Sequence, residues 1–283
     1  MKTKDEIRNL QKKANDIRKK TLQMCICAGT GHVTSSMSCA EVLTSLYFGD
    51  VLKYDSNNPQ WDERDRFILS KGQASPILYV TLSDAGFFPE YWVNDFCRAE
   101  GHFGVHLQKD VPGVEFTTGS LGHGLGLGVG KALAAKADNK NYHIFVLLGD
   151  AELQEGSNWE AAMSASQYSL NNLTAIVDRN GYGVLCPTED SVGIEPLDDK
   201  FRACGWDTKR INGHSIEQFL NSLSEFRGHK GRKPLAIIAD TVKGKGIASW
   251  ENVALKHGIA PKGDEIDTTK RELKKYSEDN NYE

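Results

Sequence analysis

Two short apolar runs constrain the fold of this chain more than any other feature. The first is Ile144-Phe-Val-Leu-Leu148, closed by Gly149 and Asp150. The second is Leu173-Thr-Ala-Ile-Val177, closed by Asp178, Arg179 and Asn180. Each is bounded by turn residues and is short for a helix, so each reads as a buried strand of a parallel sheet. The stretch between them, Glu155 to Ser169, has room for one crossover helix. The result is a βαβ unit with a carboxylate and an amide at the carboxyl ends of its two strands. In open parallel sheets the ligand crevice lies at those ends. A hard cation with a diphosphate suits such a pair, because magnesium takes oxygens from one or two side chains and completes its shell with phosphate oxygens and water.

Around this unit, apolar residues at helical spacing (Ile7, Leu10, Ala14, Ile17, Leu22) predict an amphipathic helix over 5–28. Gly29-Thr-Gly31 ends it and presents His32 on a loop. Ser38 to Tyr47 reads as a second helix with Ser38 as its N-cap. Arg66–Leu69 reads as a strand, and Ser75 to Ala85 as a helix with Pro76 in its first turn. Residues 101–119, rich in glycine, read as an irregular loop. The glycines from Gly119 to Gly130 read as the entry to a helix running to about Ala137. Residues 183–205 read as a variable region, and Leu235–Ala239 as a further strand. Alternating strands and helices give an α/β class, a doubly wound and mainly parallel sheet flanked by helices. Residues 1–263 are expected to form a single domain and 264–283 a charged C-terminal tail.

Composition excludes several classes. A net charge of −4 gives no nucleic-acid footprint. No apolar run approaches the roughly 18 residues of a membrane helix. The six cysteines form no Cys-x-x-Cys pair, and a reducing cytoplasm is the expected setting. The glycine stretch carries no dinucleotide fingerprint after a strand, and Gly130-Lys131-Ala132 does not complete a P-loop. Of the eight histidines, His143, His214 and His229 read as core or surface residues, and the roles of His106 and His123 stay open. Lys243 and Lys245 flank glycines and read either as phosphate-facing or as solvated. Glu160 and Asp178 read as structural.

Gly149-Asp-Ala-Glu-Leu-Gln-Glu-Gly156, followed by Asp178-Arg-Asn-Gly-Tyr182, resembles the thiamine-diphosphate motif, and its Leu-Gln-Glu-Gly extension resembles transketolases in particular. Further blocks fall in the transketolase order: Gly31-His32, Asp65-Arg-Phe-Ile-Leu-Ser-Lys-Gly-Gln-Ala74, Gly101-His102, Pro112-Gly-Val-Glu-Phe-Thr-Thr-Gly-Ser-Leu-Gly122, Lys243-Gly-Lys-Gly246 and His257-Gly258. The resemblance runs from about residue 15 to about residue 262. It implies thiamine diphosphate with magnesium (or calcium or manganese) as cofactors, the metal being held by Asp150, Asn180 and the backbone carbonyl of Tyr182. It implies cofactor contacts from Gln73, Gly119, Ser120, Leu121, Gly149, Asp150, Ala151, Glu155 and Asn180, with Glu155 at the subunit interface. It implies His32, His102 and His257 as catalytic residues along the substrate channel.

This sequence departs from the family pattern at Gln73, where relatives carry histidine, at His123, where many carry glutamine, and at Ala151, where the motif has glycine. The resemblance covers the diphosphate domain alone. It therefore implies a partner, a C-terminal transketolase subunit carrying the pyrimidine domain and the activating glutamate, in a heterotetramer that acts on sugar phosphates. The implied reaction is transfer of a two-carbon ketol unit. The alternatives are a transketolase-like subunit of a specialised pathway, with an unusual donor or acceptor, and a non-catalytic module that binds thiamine diphosphate.

Overall fold

In a computed structural model that describes residues 2–227 and 231–282, five strands form one parallel sheet. They are β1 (Arg66–Leu69), β2 (Ile144–Gly149), β3 (Leu173–Arg179), β4 (Asp207–Asn212) and β5 (Leu235–Asp240), in the order β1-β2-β3-β5-β4. The helices are α1 (Lys4–Ala28), α2 (Val33–Met37), α3 (Ala40–Phe48), α4 (Ser75–Asp84), α5 (Gly124–Ala137), α6 (Gly156–Gln167), α7 (Thr188–Ser191), α8 (Leu197–Ala203), α9 (Ile216–Arg227) and α10 (Asp264–Asp279). His229 lies outside the described residues.

Helices cover both faces of the sheet, which is why its central strands are continuously apolar rather than alternating. Phe145, Leu147, Ile176 and Ile237 point to one face, where they join Ile17, Leu43, Ile77 and Phe219 of α1, α3, α4 and α9. Ile144, Val146, Leu148, Val177 and Ile238 point to the other, where they join Leu125, Ala162 and Phe201 of α5, α6 and α8. Gly128 lets α5 lie tight on β2, since a Cβ there would sit 2.6 Å from Val146 Cγ2. Burial of both faces fixes the register of β2 against β3, and that register sets the positions of Asp150 and Asn180.

One expectation changes, and two segments on which the sequence made no commitment take a defined form. Ser38 is not a helix cap: the helix starts at Ala40, and the Ser38 hydroxyl donates to Asp178 Oδ2 at 2.6 Å. Strand β4 carries no apolar run; it is an edge strand of mostly charged and polar residues, a composition that discourages further strand pairing. The charged C-terminal segment, whose order the sequence left open, is a packed helix. Thr269, Leu273 and Ser277 of α10 are buried, and Asn15 Nδ2 of α1 donates to Ser277 Oγ at 2.5 Å.

Beneath these helices lies a buried ion pair. Arg18 donates to both oxygens of Glu41 at 2.6 Å and also to the Met37 carbonyl. His214 Nε2 accepts the Val242 amide at 2.9 Å, so Nδ1 carries the proton and donates to Glu41 Oε2 at 3.0 Å. Burial alone would push Glu41 up, but Arg18 and His214 outweigh it and hold the carboxyl at about 2. His214 is thus structural, as expected from the sequence.

Candidate functional site

The register aligns Gly149 with Asp178, so the chain leaves β2 at Asp150 beside the exit from β3 at Arg179 and Asn180. Asp150 is 1% exposed. Its Oδ2 accepts the Gly181 amide at 2.6 Å and Arg179 Nη1 at 3.0 Å, and its Oδ1 accepts the Ala151 amide at 2.8 Å. Burial, and then the neighbouring Asp178, push the Asp150 carboxyl up against those donors. Asn180 donates through Nδ2 to Asp178 Oδ2 at 3.2 Å, which turns its Oδ1 toward the Tyr182 amide, also at 3.2 Å. No group of three or more His, Cys, Asp or Glu side chains suited to a metal occurs among the described residues. A cation at Asp150 and Asn180 would need oxygens from elsewhere, and a diphosphate supplies them. Ala151 opens a 3-10 turn and is not among the residues with left-handed backbone, so its methyl brings no strain.

Two lysines lie below this edge. Lys71, on the turn after β1, forms a close ion pair with Asp178 Oδ2, and Asp178 also accepts from Ser38 and Thr241. Burial pushes Asp178 up, but Lys71 and the hydroxyls outweigh it and keep it ionised. Lys243 is 1% exposed; its Nζ donates to the Gly183 carbonyl at 2.5 Å, and no carboxylate lies within salt-bridge distance of it among the described residues. Burial, and then Lys71, lower Lys243 to about 8. A buried ammonium without a counterion is costly, and an anion is the group that would relieve it. A diphosphate fits this floor. The glycines around Lys243 gave no sign of its burial. Lys245, by contrast, pairs with Glu251 at 3.6 Å.

Three imidazoles converge above the site, and one of them differs from the sequence reading. His32 packs against His257, with ring centroids 5.1 Å apart, and against His106 at 5.7 Å. His102 does not join them. It is stacked on Trp92 at 3.8 Å and paired with Asp95 at 3.2 Å, and its described ring contacts are with Trp92 and Phe103. The reason is local: Phe103 and Leu107 are buried and anchor the loop, so His106 turns inward while His102 stays exposed. Those two apolar residues in a polar loop were the available signal. His32 Nδ1 is buried without a hydrogen-bond partner, an atom that a ligand hydroxyl would satisfy.

Burial, then His106 and Lys243, lower His32 to about 4. Burial, then Lys243 and His32, lower His257 to about 3. Both rings are therefore neutral at pH 7. The unfolded chain binds more protons between those values and the ordinary 6.5, so stability falls as pH drops through that window. Urea unfolding at about pH 7.5 and about pH 5 should show this loss, and a His32→Asn/His257→Asn variant should show a smaller one.

The remaining expected cofactor residues sit on neighbouring turns. Gln73 donates to the Gly119 carbonyl at 3.3 Å. Gly119 has φ +137° and packs so close to His106 that a Cβ would lie 2.9 Å from its ring. Leu121 is half-buried, and Ser120 and His123 are exposed, with His123 Nδ1 3.0 Å from the Leu121 carbonyl. Glu155 is exposed at the start of α6 and makes no side-chain cap. Glu152, which the sequence reading did not single out, is 1% exposed and binds the turns together.

The family model described as "Transketolase, thiamine diphosphate binding domain" matches residues 9–281. The chain is 37% identical over 268 residues to one subunit of the apulose-4-phosphate transketolase of Phocaeicola vulgatus, covering 95% of each chain. It is 39% identical over 252 residues to the 6-deoxy-6-sulfo-D-fructose transketolase subunit SqwG of a Clostridium species, covering 89% of this chain and 91% of that one. Among solved structures, the transketolase of Campylobacter jejuni superposes with a TM-score of 0.88 at 32% identity; the match covers 95% of this chain but only 43% of that one. The α/β fold, the paired Asp150 and Asn180 and these likenesses agree: the chain belongs to the transketolase family and corresponds to its thiamine diphosphate binding domain.

Proposed function

We propose that the chain is the diphosphate-binding subunit of a two-chain transketolase, which transfers a two-carbon ketol unit from a ketose phosphate to an aldose. The observation that carries this reading is Lys243, a buried ammonium with no carboxylate within salt-bridge distance among the described residues. When bound, thiamine diphosphate supplies the thiazolium that stabilises the carbanion of the transferred unit. Lys243 and Lys71 would offset the diphosphate charge, and Asp150, Asn180 and the Tyr182 carbonyl would hold magnesium. His32 and His257, neutral at pH 7, would hold donor hydroxyls and move their protons together with His106, since a neutral imidazole offers one donor and one acceptor.

The relatives named as subunits, matched over nearly their whole length, support a partner chain that carries the pyrimidine domain. So do Val184, Leu185 and Leu255, large apolar side chains 56%, 76% and 75% exposed on the two loops that flank the site. A heterotetramer in the cytoplasm is the proposed assembly; none of the described helices is long and apolar enough to cross a membrane. Because those relatives are named for apulose-4-phosphate and for a sulfosugar, a specialised sugar is the second reading, favoured by Gln73 at a position where the family pattern has histidine.

Two results test the assignment. In the reconstituted pair, His106→Ala should lower turnover about 100-fold or more, while His102→Ala should stay near wild type; the reverse order would restore His102 to the site. Initial rates should give parallel, ping-pong lines, because the ketol unit waits on the enzyme between substrates. Intersecting lines would argue against the reaction.

A further inference from the structure

Glu152 reaches three separate turns with one buried carboxylate. Its Oε1 accepts from the Ser70 hydroxyl, which follows β1, and from the Gly122 amide at 3.0 Å. Its Oε2 accepts the Gly149 amide at 3.0 Å, at the end of β2. Ser70 Oγ in turn accepts the Gly124 amide at 3.1 Å, at the start of α5. Each tied residue adjoins one expected at the cofactor: Lys71 after Ser70 and Asp150 after Gly149 by the proposed function, and Leu121 before Gly122 by the family resemblance. The turns also touch directly, since a Cβ on Gly72 would lie 2.6 Å from the Gly119 nitrogen.

We propose that Glu152 is a positioning residue that holds these three turns in the arrangement that receives the diphosphate. This rests on the cofactor reading above. A carboxylate beside a diphosphate is electrostatically unfavourable, so its charge does not aid binding. Its value is that it only accepts, and all three of its side-chain partners donate to it. A glutamine has the same shape but one acceptor oxygen and one NH2 group. Facing Gly149 with the NH2 breaks that bond; facing Gly122 and Ser70 with it sets two N–H groups against each other, although the serine hydroxyl can rotate. Either way at least one backbone amide loses its acceptor, and one turn is released.

The test uses Glu152→Gln in the full chain, co-expressed with the pyrimidine-domain subunit from its genomic neighbourhood. Thiamine diphosphate is titrated at fixed magnesium by tryptophan quenching, and amide hydrogen exchange is read at Gly122 and Gly149 without cofactor. The expected result is exchange at least tenfold faster at one of these amides. Cofactor affinity should be about 10–100-fold weaker, with turnover at saturating cofactor close to wild type. A merely structural role would instead lower turnover through loss of folded enzyme and leave the affinity of the remainder unchanged. That pattern, or unchanged exchange and affinity, would overturn the proposal. Ser70→Ala, which removes one donor to Glu152 and the acceptor of the Gly124 amide but leaves both backbone amides on Glu152, serves as a second variant, with a smaller loss of affinity expected. If the wild type itself fails to bind thiamine diphosphate, the cofactor reading falls, and the exchange data still decide whether Glu152 holds the turns.

Discussion

Asp150→Ala is expected to remove thiamine-diphosphate-dependent turnover in the reconstituted pair, by about 1,000-fold or more, while leaving the chain folded. Truncation takes away the only carboxylate among the proposed ligands, and a magnesium ion that the protein would then hold through Asn180 and one carbonyl alone would be short of charge and of a ligand. The fold should tolerate the change. Asp150 sits at the end of β2, and its partner Arg179 keeps ion pairs with Glu195 at 2.9 Å and Glu189 at 3.1 Å. Because burial pushes the Asp150 carboxyl up, losing it also relieves an unfavourable charge next to Asp178. Manganese titration followed by paramagnetic resonance, with cofactor present, reads the site directly. Wild-type manganese binding in the variant would show that the cation sits elsewhere.

Glu41→Ala is expected to have the largest effect on stability, about 3–5 kcal/mol, because it leaves Arg18 buried and uncompensated. Arg18 is 0% exposed, and Glu41 also takes the proton-bearing nitrogen of His214, so one truncation strands two donors. For a chain of this size the midpoint of thermal unfolding should fall by about 5–8 °C. The double variant Arg18→Met/Glu41→Leu removes both charges and should recover most of that loss. A single variant as stable as the wild type would mean that Arg18 reaches water or another anion.

The sequence made much of this fold legible because the sheet is buried on both faces. Strands β1, β2, β3 and β5 show as short apolar runs, and α1 as a helical stripe, since burial on those faces demands apolar side chains. Strand β4 was invisible for the converse reason: an edge strand with two exposed central residues, Lys209 and Arg210, has no apolar pattern to read. The α10 helix was left open between helix and disorder because its buried face is narrow: Leu273 is its one fully buried large apolar residue, flanked by Thr269 and Ser277.

At the site, Asp150 and Asn180 stand out as strand ends, and His32 and His257 were named from the family resemblance; the structure brings those two rings together. His106 was left open and His102 preferred, because adjacency to glycine says nothing of which way a loop turns; buried Phe103 and Leu107 decide that. Glu152 was missed, and Lys243 was left between a phosphate-facing and a solvated reading, for a shared reason. A lysine among glycines and a glutamate in the first turn after a strand both look solvated, and only the packing of distant turns reveals that they are buried.

The most direct test of the central claim is turnover of xylulose 5-phosphate with ribose 5-phosphate, with thiamine diphosphate and magnesium, by the chain alone and by the chain with its pyrimidine-domain partner. The account predicts no turnover by the chain alone and cofactor-dependent turnover by the pair. If these sugars are not the substrates, it predicts cofactor binding by the pair and turnover of another ketose phosphate. Normal turnover by the purified chain alone, or no thiamine diphosphate binding by the pair, would contradict it.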